Sequence, residues 1–262
     1  MKGSFLSVVG IIANPSAGKD IRRLVSESRF VSNQEKINII RRVISALIKM
    51  DIEHILLMPD YGNLTREAIK DIDDTDIFEF ISIPVFNSEQ DTTKAARIME
   101  EKGAGAIVTL GGDGTNRATV LGTSMVPIMP ISTGTNNAFP VTIEGTLAGI
   151  CAASVAKGQV DIETCAPLCR KLSVSVDGAL LDVALVDVAV SNKRFVGSRA
   201  IWDTSSISDL YLAKASPETI GLSSIGGFLN PLLNSDNFGL HVELAGKPTQ
   251  QVLAPVIPGK LE

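Results

Sequence analysis

With 262 residues, 45% of them hydrophobic and 20% charged, the chain has enough apolar material to bury a core in one large domain or two smaller ones, which excludes a disordered or fibrous protein. Its formal net charge of -5 excludes a generally basic surface of the kind that binds nucleic acid, where Lys and Arg must neutralise phosphates. Two histidines, His54 and His241, exclude a multi-histidine metal cage and argue against a Ser-His-Asp hydrolase.

The first 140 residues or so alternate Val- and Ile-rich runs with helical patterns, the signature of a parallel sheet covered by helices. Strands are predicted at Phe5 to Ala13, His54 to Met58, Phe78 to Pro84, Gly105 to Leu110 and Ile128 to Ser132. A helix is predicted over Gln34 to Met50, where Ile37, Ile40, Ile44 and Leu47 recur at helical spacing and Lys36, Arg41 and Lys49 fall elsewhere on the wheel. Ser32 and Glu35 read as its capping box. A second helix is expected from Asp91 to Lys102, and a small-residue helix from Glu144 to Lys157. The acidic run Asp71, Asp73, Asp74 and Asp76 reads as a solvated connection rather than a cation site.

Near residue 158 the texture changes to short β-type segments, so an α/β nucleotide-binding domain over 1–157 and a β-rich domain over 158–262 are expected. Arg170 to Val176 and Leu180 to Val190 look like a hairpin joined by an Asp177-Gly178 turn. Ser208 to Ala215 and Pro217 to Ile225 look helical, while Gly239 to Ala245 and Gln251 to Pro258 return to strand. The chain stops without a cap or polar tail, as a domain truncated at its C-terminus would. Three cysteines, an odd number with no secretory leader ahead of them, imply a reduced, cytoplasmic protein, and the apolar runs fall short of the roughly 20 residues that span a bilayer.

Three polar loops follow three of the predicted parallel strands, at the carboxyl ends where open α/β sheets place their ligands. Gly111-Gly112-Asp113-Gly114-Thr115 has glycines that let the main chain approach a phosphate, and the following helix presents unpaired N–H groups there. A carboxylate in such a loop repels phosphate unless it carries a cation or takes a proton from an attacking hydroxyl, so Asp113 is the candidate catalytic residue; the alternative is an Asp that caps the next helix. Asn14-Pro15-Ser16-Ala17-Gly18-Lys19 follows the first strand, with Asn14, Pro15, Gly18 and Lys19 as candidate ligand contacts, and is not a GxxxxGK[ST] loop. Ser132-Thr133-Gly134-Thr135-Asn136-Asn137 offers hydroxyls and carboxamides that bond phosphate, ribose or base edges without adding charge.

The Gly111 to Thr115 motif together with the Asn14-Pro15 loop resembles the superfamily of NAD kinases, diacylglycerol and sphingosine kinases and 6-phosphofructokinases. The segments Asp20 to Leu24, Asn33 to Lys36, Ser132 to Pro140 and Gly197 to Asp203 look like the acetoin-catabolism protein X branch of ATP-NAD kinase-like proteins. This resemblance implies a nucleotide-binding α/β domain followed by a β-sandwich-like domain, an active site between them, ATP and Mg as cofactors, NAD as a possible substrate, and a homo-oligomer with nucleotide ligands. The acidic net charge argues against nucleic acid as a partner, and the lack of an exposed amphipathic or basic stretch against a membrane. The resemblance places the activating aspartate of the family on Asp113. The Asn-Glu pair with which NAD kinases hold the dinucleotide falls on Val186-Asp187, where valine has no hydrogen-bonding group. The implied activity is transfer of the ATP γ-phosphoryl group to a hydroxyl, foremost the 2′-hydroxyl of NAD. A non-catalytic nucleotide-binding regulator and a lipid kinase stand as alternatives, the metal ligands being undefined.

Overall fold

The computed structural model describes residues 7–19, 27–73, 75–123, 125–193, 204–233, 236–245 and 250–262. It divides into two compact units. The first comprises Met1–Ala17, Val31–Thr133 and Pro140–Leu168, the second Gly18–Phe30, Gly134–Phe139 and Cys169–Glu262.

In the first unit the buried Val/Ile runs form strands β1 (Val8–Ala13), β2 (His54–Leu57), β3 (Phe78–Phe80), β4 (Ala106–Gly111) and β5 (Ile128–Ser132). They pair in parallel in the order β3-β2-β1-β4-β5. Every residue of β1 and β4 is buried, which is why these strands read as continuous apolar runs rather than alternating ones. The order reverses between β1 and β4, and in doubly wound sheets that reversal opens a crevice at the strands' carboxyl ends. The predicted third strand is shorter than expected: pairing stops at Phe80, short of the Ile83-Pro84 stretch.

Five helices of at least six residues cover this sheet among the described residues: α1 (Asn33–Lys49), α2 (Leu64–Ile69), α3 (Glu89–Glu101), α4 (Asp113–Gly122) and α5 (Gly145–Ala156). A one-turn helix α6 (Ile162–Cys165) follows. Ser32 caps α1 by accepting from the Glu35 N–H at 3.1 Å, while the Glu35 carboxylate bonds Arg42 at 2.9 Å. Asp91 begins α3 from inside: buried, it accepts from the N–H groups of Phe86 and Ser88 at 2.9 and 3.2 Å. The small residues of α5 let its backbone approach α1. A Cβ on Gly149 would lie 2.7 Å from both the Val43 carbonyl and the Ala46 Cβ. At the sheet's edge, Glu79 on β3 bonds Lys102 at 2.8 Å and His54 at 2.9 Å.

The second unit, taken by itself, contains an antiparallel sheet in the order β10-β9-β8 (Leu240–Glu243, Ile207–Leu212 and Asp187–Ser191). Two hairpins accompany it, β6 (Leu172–Val176) with β7 (Ala179–Ala184) and β11 (Pro255–Ile257) with β12 (Lys260–Leu261), and one helix, α7 (Leu222–Leu229). Leu210, Leu212, Ala215, Ile225, Leu232, Ala254 and Val256 form its core. The Asp177-Gly178 turn is present, with positive φ at both residues (50° and 80°), the geometry of a type I′ hairpin.

Three expectations are corrected here. The predicted strand from Leu180 to Val190 is two strands, since β7 pairs with β6 and β8 pairs with β9. Ser208 to Ala215, expected to be helical, is mostly β9. A register shift between Val190 and Ser191 makes Ser208 an extra residue opposite β8, so the buried positions fall at Ile207, Leu210 and Leu212. Spacings of three and two imitate a helical stripe. The helix expected at Pro217 begins only at Leu222, after Gly221 turns the chain with φ 118°.

Replacing Gly149 by Val should lower stability by about 1–3 kcal/mol, read as a shift of the urea midpoint, because a branched side chain must separate α1 from α5. The Glu79 carboxyl is held below its ordinary range by the Lys102 hydrogen bond first and the His54 bond second. A depressed carboxyl stabilises the fold above its ordinary pKa of 4.5 and loses that contribution as pH falls through the lowered value. Glu79→Gln should therefore flatten the acid side of the stability-pH curve and leave its shape above neutrality unchanged.

Candidate functional site

The carboxyl ends of β1 and β4, on either side of the strand-order reversal, are joined by hydrogen bonds. The Asn14 N–H donates to the Leu110 carbonyl at 2.9 Å, and the Asn14 carboxamide donates through Nδ2 to the Thr115 hydroxyl at 2.9 Å. The same carboxamide accepts the Ser16 N–H through Oδ1 at 2.8 Å. Asn14 thus uses both ends of its side chain to fasten the loop after β1 to the loop after β4. In this first loop the Ala17 N–H bonds the Asn14 carbonyl at 3.3 Å, and Pro15 has no N–H. The loop is a rigid turn whose donors up to residue 17 serve the protein itself. Gly18 then takes φ 77°, and Lys19 is exposed.

The second loop is built differently. Gly112, extended at φ -110° and ψ -167°, occupies the capping position of α4 and supplies no side-chain cap to the N–H groups of the first turn. Asp113 is therefore the first helical residue and not the cap, half-buried at the positive end of the helix dipole. A Cβ on Gly111 would overlap the Thr115 side chain, whereas one on Gly114 meets nothing within 4 Å. Gly111 is thus required for packing, and Gly114 leaves an open approach to the helix terminus. Behind the loop, the fully buried Thr109 and Asn116 complete one another: the Thr109 hydroxyl donates to Asn116 Oδ1 at 2.8 Å, and Asn116 Nδ2 donates to the Gly112 carbonyl at 2.9 Å.

At the tip of β5, the Thr133 N–H donates to the Gly111 carbonyl at 3.0 Å. The Thr133 hydroxyl is buried with no hydrogen-bond partner, a state that costs about 1–3 kcal/mol when nothing offsets it. Gly134, Thr135, Asn136 and Asn137 belong to the second unit. There the loop curls on itself, since a Cβ on Gly134 would meet the Asn137 side chain, and Asn136 Nδ2 reaches the Val256 carbonyl at 3.5 Å. Asp187 opens β8. The preceding Val186 is buried, its carbonyl accepting from Ala213 and Lys214 at 2.8 and 3.3 Å. The segments Asp20 to Leu24 and Gly197 to Asp203 lie outside the described residues.

Sequence reasoning missed two groups at this edge. Lys36, placed by the wheel off the apolar stripe, is fully buried. It lies one turn before Ile40 and two before Val43 on the buried face of α1, a spacing that would have found it. Its Nζ donates to the carbonyls of Asn14, Pro15 and Ala17 at 3.2, 3.2 and 2.7 Å. Asp60, after β2, accepts from the N–H groups of Leu64 and Thr65 at 2.9 and 3.2 Å and so starts α2. That brings Gly62 so near the first loop that a Cβ would lie 2.7 Å from Pro15 Cβ.

Among the described residues no three His, Cys, Asp or Glu side chains are grouped to hold a metal ion. The residues present suit no cage built by side chains alone; a Mg²⁺ here would be carried largely by phosphate oxygens, with the Asp113 carboxylate at the start of α4 as a candidate ligand.

Residues 9–160 match the model of the ATP-NAD kinase N-terminal domain, and residues 170–262 that of the acetoin catabolism protein X C-terminal domain. The acetoin catabolism protein X of Cupriavidus necator is 37% identical over 265 residues, an alignment covering 96% of this chain and 74% of that protein. The chain belongs to the acetoin catabolism protein X family. Its N-terminal unit carries the NAD kinase-like parallel sheet, and its C-terminal part is β-rich. A crystal structure assigned as a diacylglycerol kinase from Bacillus anthracis is similar at 15% identity and a TM-score of 0.35, covering 92% of this chain and 85% of that one. Among the described residues no helix of this family member is long and apolar enough to cross a membrane.

If the Asn14 to Thr115 bond fixes the two loops in register, Asn14→Ala and Thr115→Val should be coupled. A double-mutant cycle by urea denaturation should give an interaction of about 0.5–1.5 kcal/mol; strict additivity would mean that the bond holds nothing.

Proposed function

We infer that this protein binds the polyphosphate of ATP at the carboxyl ends of β1 and β4 and transfers the γ-phosphoryl group to a hydroxyl, foremost the 2′-hydroxyl of NAD. The observation that carries this reading is the junction of the two loops by Asn14 and Thr115 at the reversal of strand order. It sets the first turn of α4, which lacks a side-chain cap, and the carboxylate of Asp113 at one end of one rigid edge. Membership of a kinase-like family supports the reaction class, and the name of the Cupriavidus necator relative supports a role in acetoin catabolism.

In this reading the first turn of α4 receives phosphate oxygens through its N–H groups, where the helix dipole favours negative charge. The Thr133 hydroxyl gains the acceptor it otherwise lacks. A bound Mg²⁺ supplies positive charge against the phosphates. Asp113 orients the acceptor hydroxyl and takes its proton as the oxygen attacks the γ-phosphorus, while the bond from that phosphorus to the bridging oxygen breaks and ADP leaves. Gly114, with no atom near its missing side chain, leaves room for that approach.

A nucleotide-binding regulator without turnover is the second reading. It is favoured by Val186, a buried apolar side chain where NAD kinases place a hydrogen-bonding one.

Titration with ATP, NAD and NADP, each with and without Mg²⁺, followed by an assay of labelled ATP with NAD, separates the two. The kinase reading expects ATP binding and formation of NADP, with Asp113→Asn lowering turnover by roughly 10²-fold or more while the ATP affinity stays within about threefold. Binding without NADP formation favours the regulator. Undiminished turnover after the Asp113→Asn substitution removes Asp113 from the chemistry.

A further inference from the structure

Lys36 stands on the apolar face of α1 with none of its surface exposed, although an ammonium is expensive to bury unless its N–H groups are hydrogen-bonded. An ammonium has three such groups. They match three carbonyls of one short loop, those of Asn14, Pro15 and Ala17. The loop's own N–H groups at Ser16 and Ala17 are taken by Asn14 Oδ1 and the Asn14 carbonyl. The stretch from Asn14 to Ala17 therefore has few backbone donors left for an anion, and its carbonyl oxygens, the negative ends of the peptide dipoles, would face a phosphate unfavourably if they turned outward.

We propose that Lys36 is a positioning residue for polyphosphate: its ammonium draws the carbonyls of residues 14, 15 and 17 inward and sets a buried positive charge directly behind the first loop. It touches no ligand. A charge fixed in the low-dielectric interior acts on a nearby anion with less screening than an exposed one such as Lys19, so the number of phosphates on the ligand sets how much Lys36 contributes. The proposal rests on the nucleotide-binding reading above.

Isothermal titration of the full chain and of Lys36→Met with inorganic tripolyphosphate, ATP and AMP tests it. The methionine variant should bind tripolyphosphate and ATP at least about tenfold more weakly and AMP less than about threefold more weakly. Lys36→Arg, which keeps the charge, should recover part of the tripolyphosphate affinity. Should the methionine variant fail to fold, Lys36→Arg and Lys36→Gln form the comparison, and arginine must bind tripolyphosphate more tightly than glutamine. A lower melting temperature with all three affinities unchanged, or reduced by one common factor, overturns the proposal and leaves Lys36 as packing. Failure of the wild type to bind either polyphosphate overturns the nucleotide-binding reading and the proposal with it. Normal wild-type binding with an unaltered ratio in the variants overturns the proposal alone.

Discussion

The hydrogen bond between the Asn14 carboxamide and the Thr115 hydroxyl is the constraint on which the candidate site depends. Parallel pairing of β1 with β4 brings two strand ends together, but pairing alone does not dictate what the following loops do. Asn14 extends the ladder by one main-chain bond to Leu110 and then reaches across with its side chain. Thr115, buried against Gly111, accepts it. Joined in this way the two loops form one edge, and the start of α4 inherits a fixed position.

Several of the polar groups buried in the first unit gather at that edge. Lys36, Thr109, Thr115, Asn116 and Thr133 are all there, while the strands behind them are lined with Val, Ile and Leu. Each buried polar group weakens the fold unless it is satisfied, and all but one of these five have partners in the hydrogen-bonding pattern just described. Thr133 is the exception. Polar burial at one end of an otherwise apolar sheet marks where stability has been traded for an ordered surface.

Much of this was legible in the sequence because burial on both faces of a parallel sheet leaves an unmistakable Val/Ile signature, and because polar, glycine-containing loops stand just after such runs. The polar loops at residues 14–19 and 111–115 were found by that logic. What resisted reading were residues whose role is set by partners distant in the chain. The spacing of Lys36 to Ile40 and Val43 puts it on the buried face, but its partners, the carbonyls of residues 14, 15 and 17, come from a loop far back in the chain. Asp60 looks like a loop residue until it begins α2. In the second unit a single bulge at Ser208 converts a strand's alternation into a helix-like spacing, and no local pattern reveals that.

The division of the chain has its own consequence. Neither unit is one continuous stretch: the second takes Gly18–Phe30 and Gly134–Phe139 from within the span of the first before gathering Cys169–Glu262. During vectorial synthesis the early pieces of the second unit leave the ribosome well before the strands they will accompany, and must wait without a core of their own. Cutting the chain at any single point would therefore sever one unit or the other.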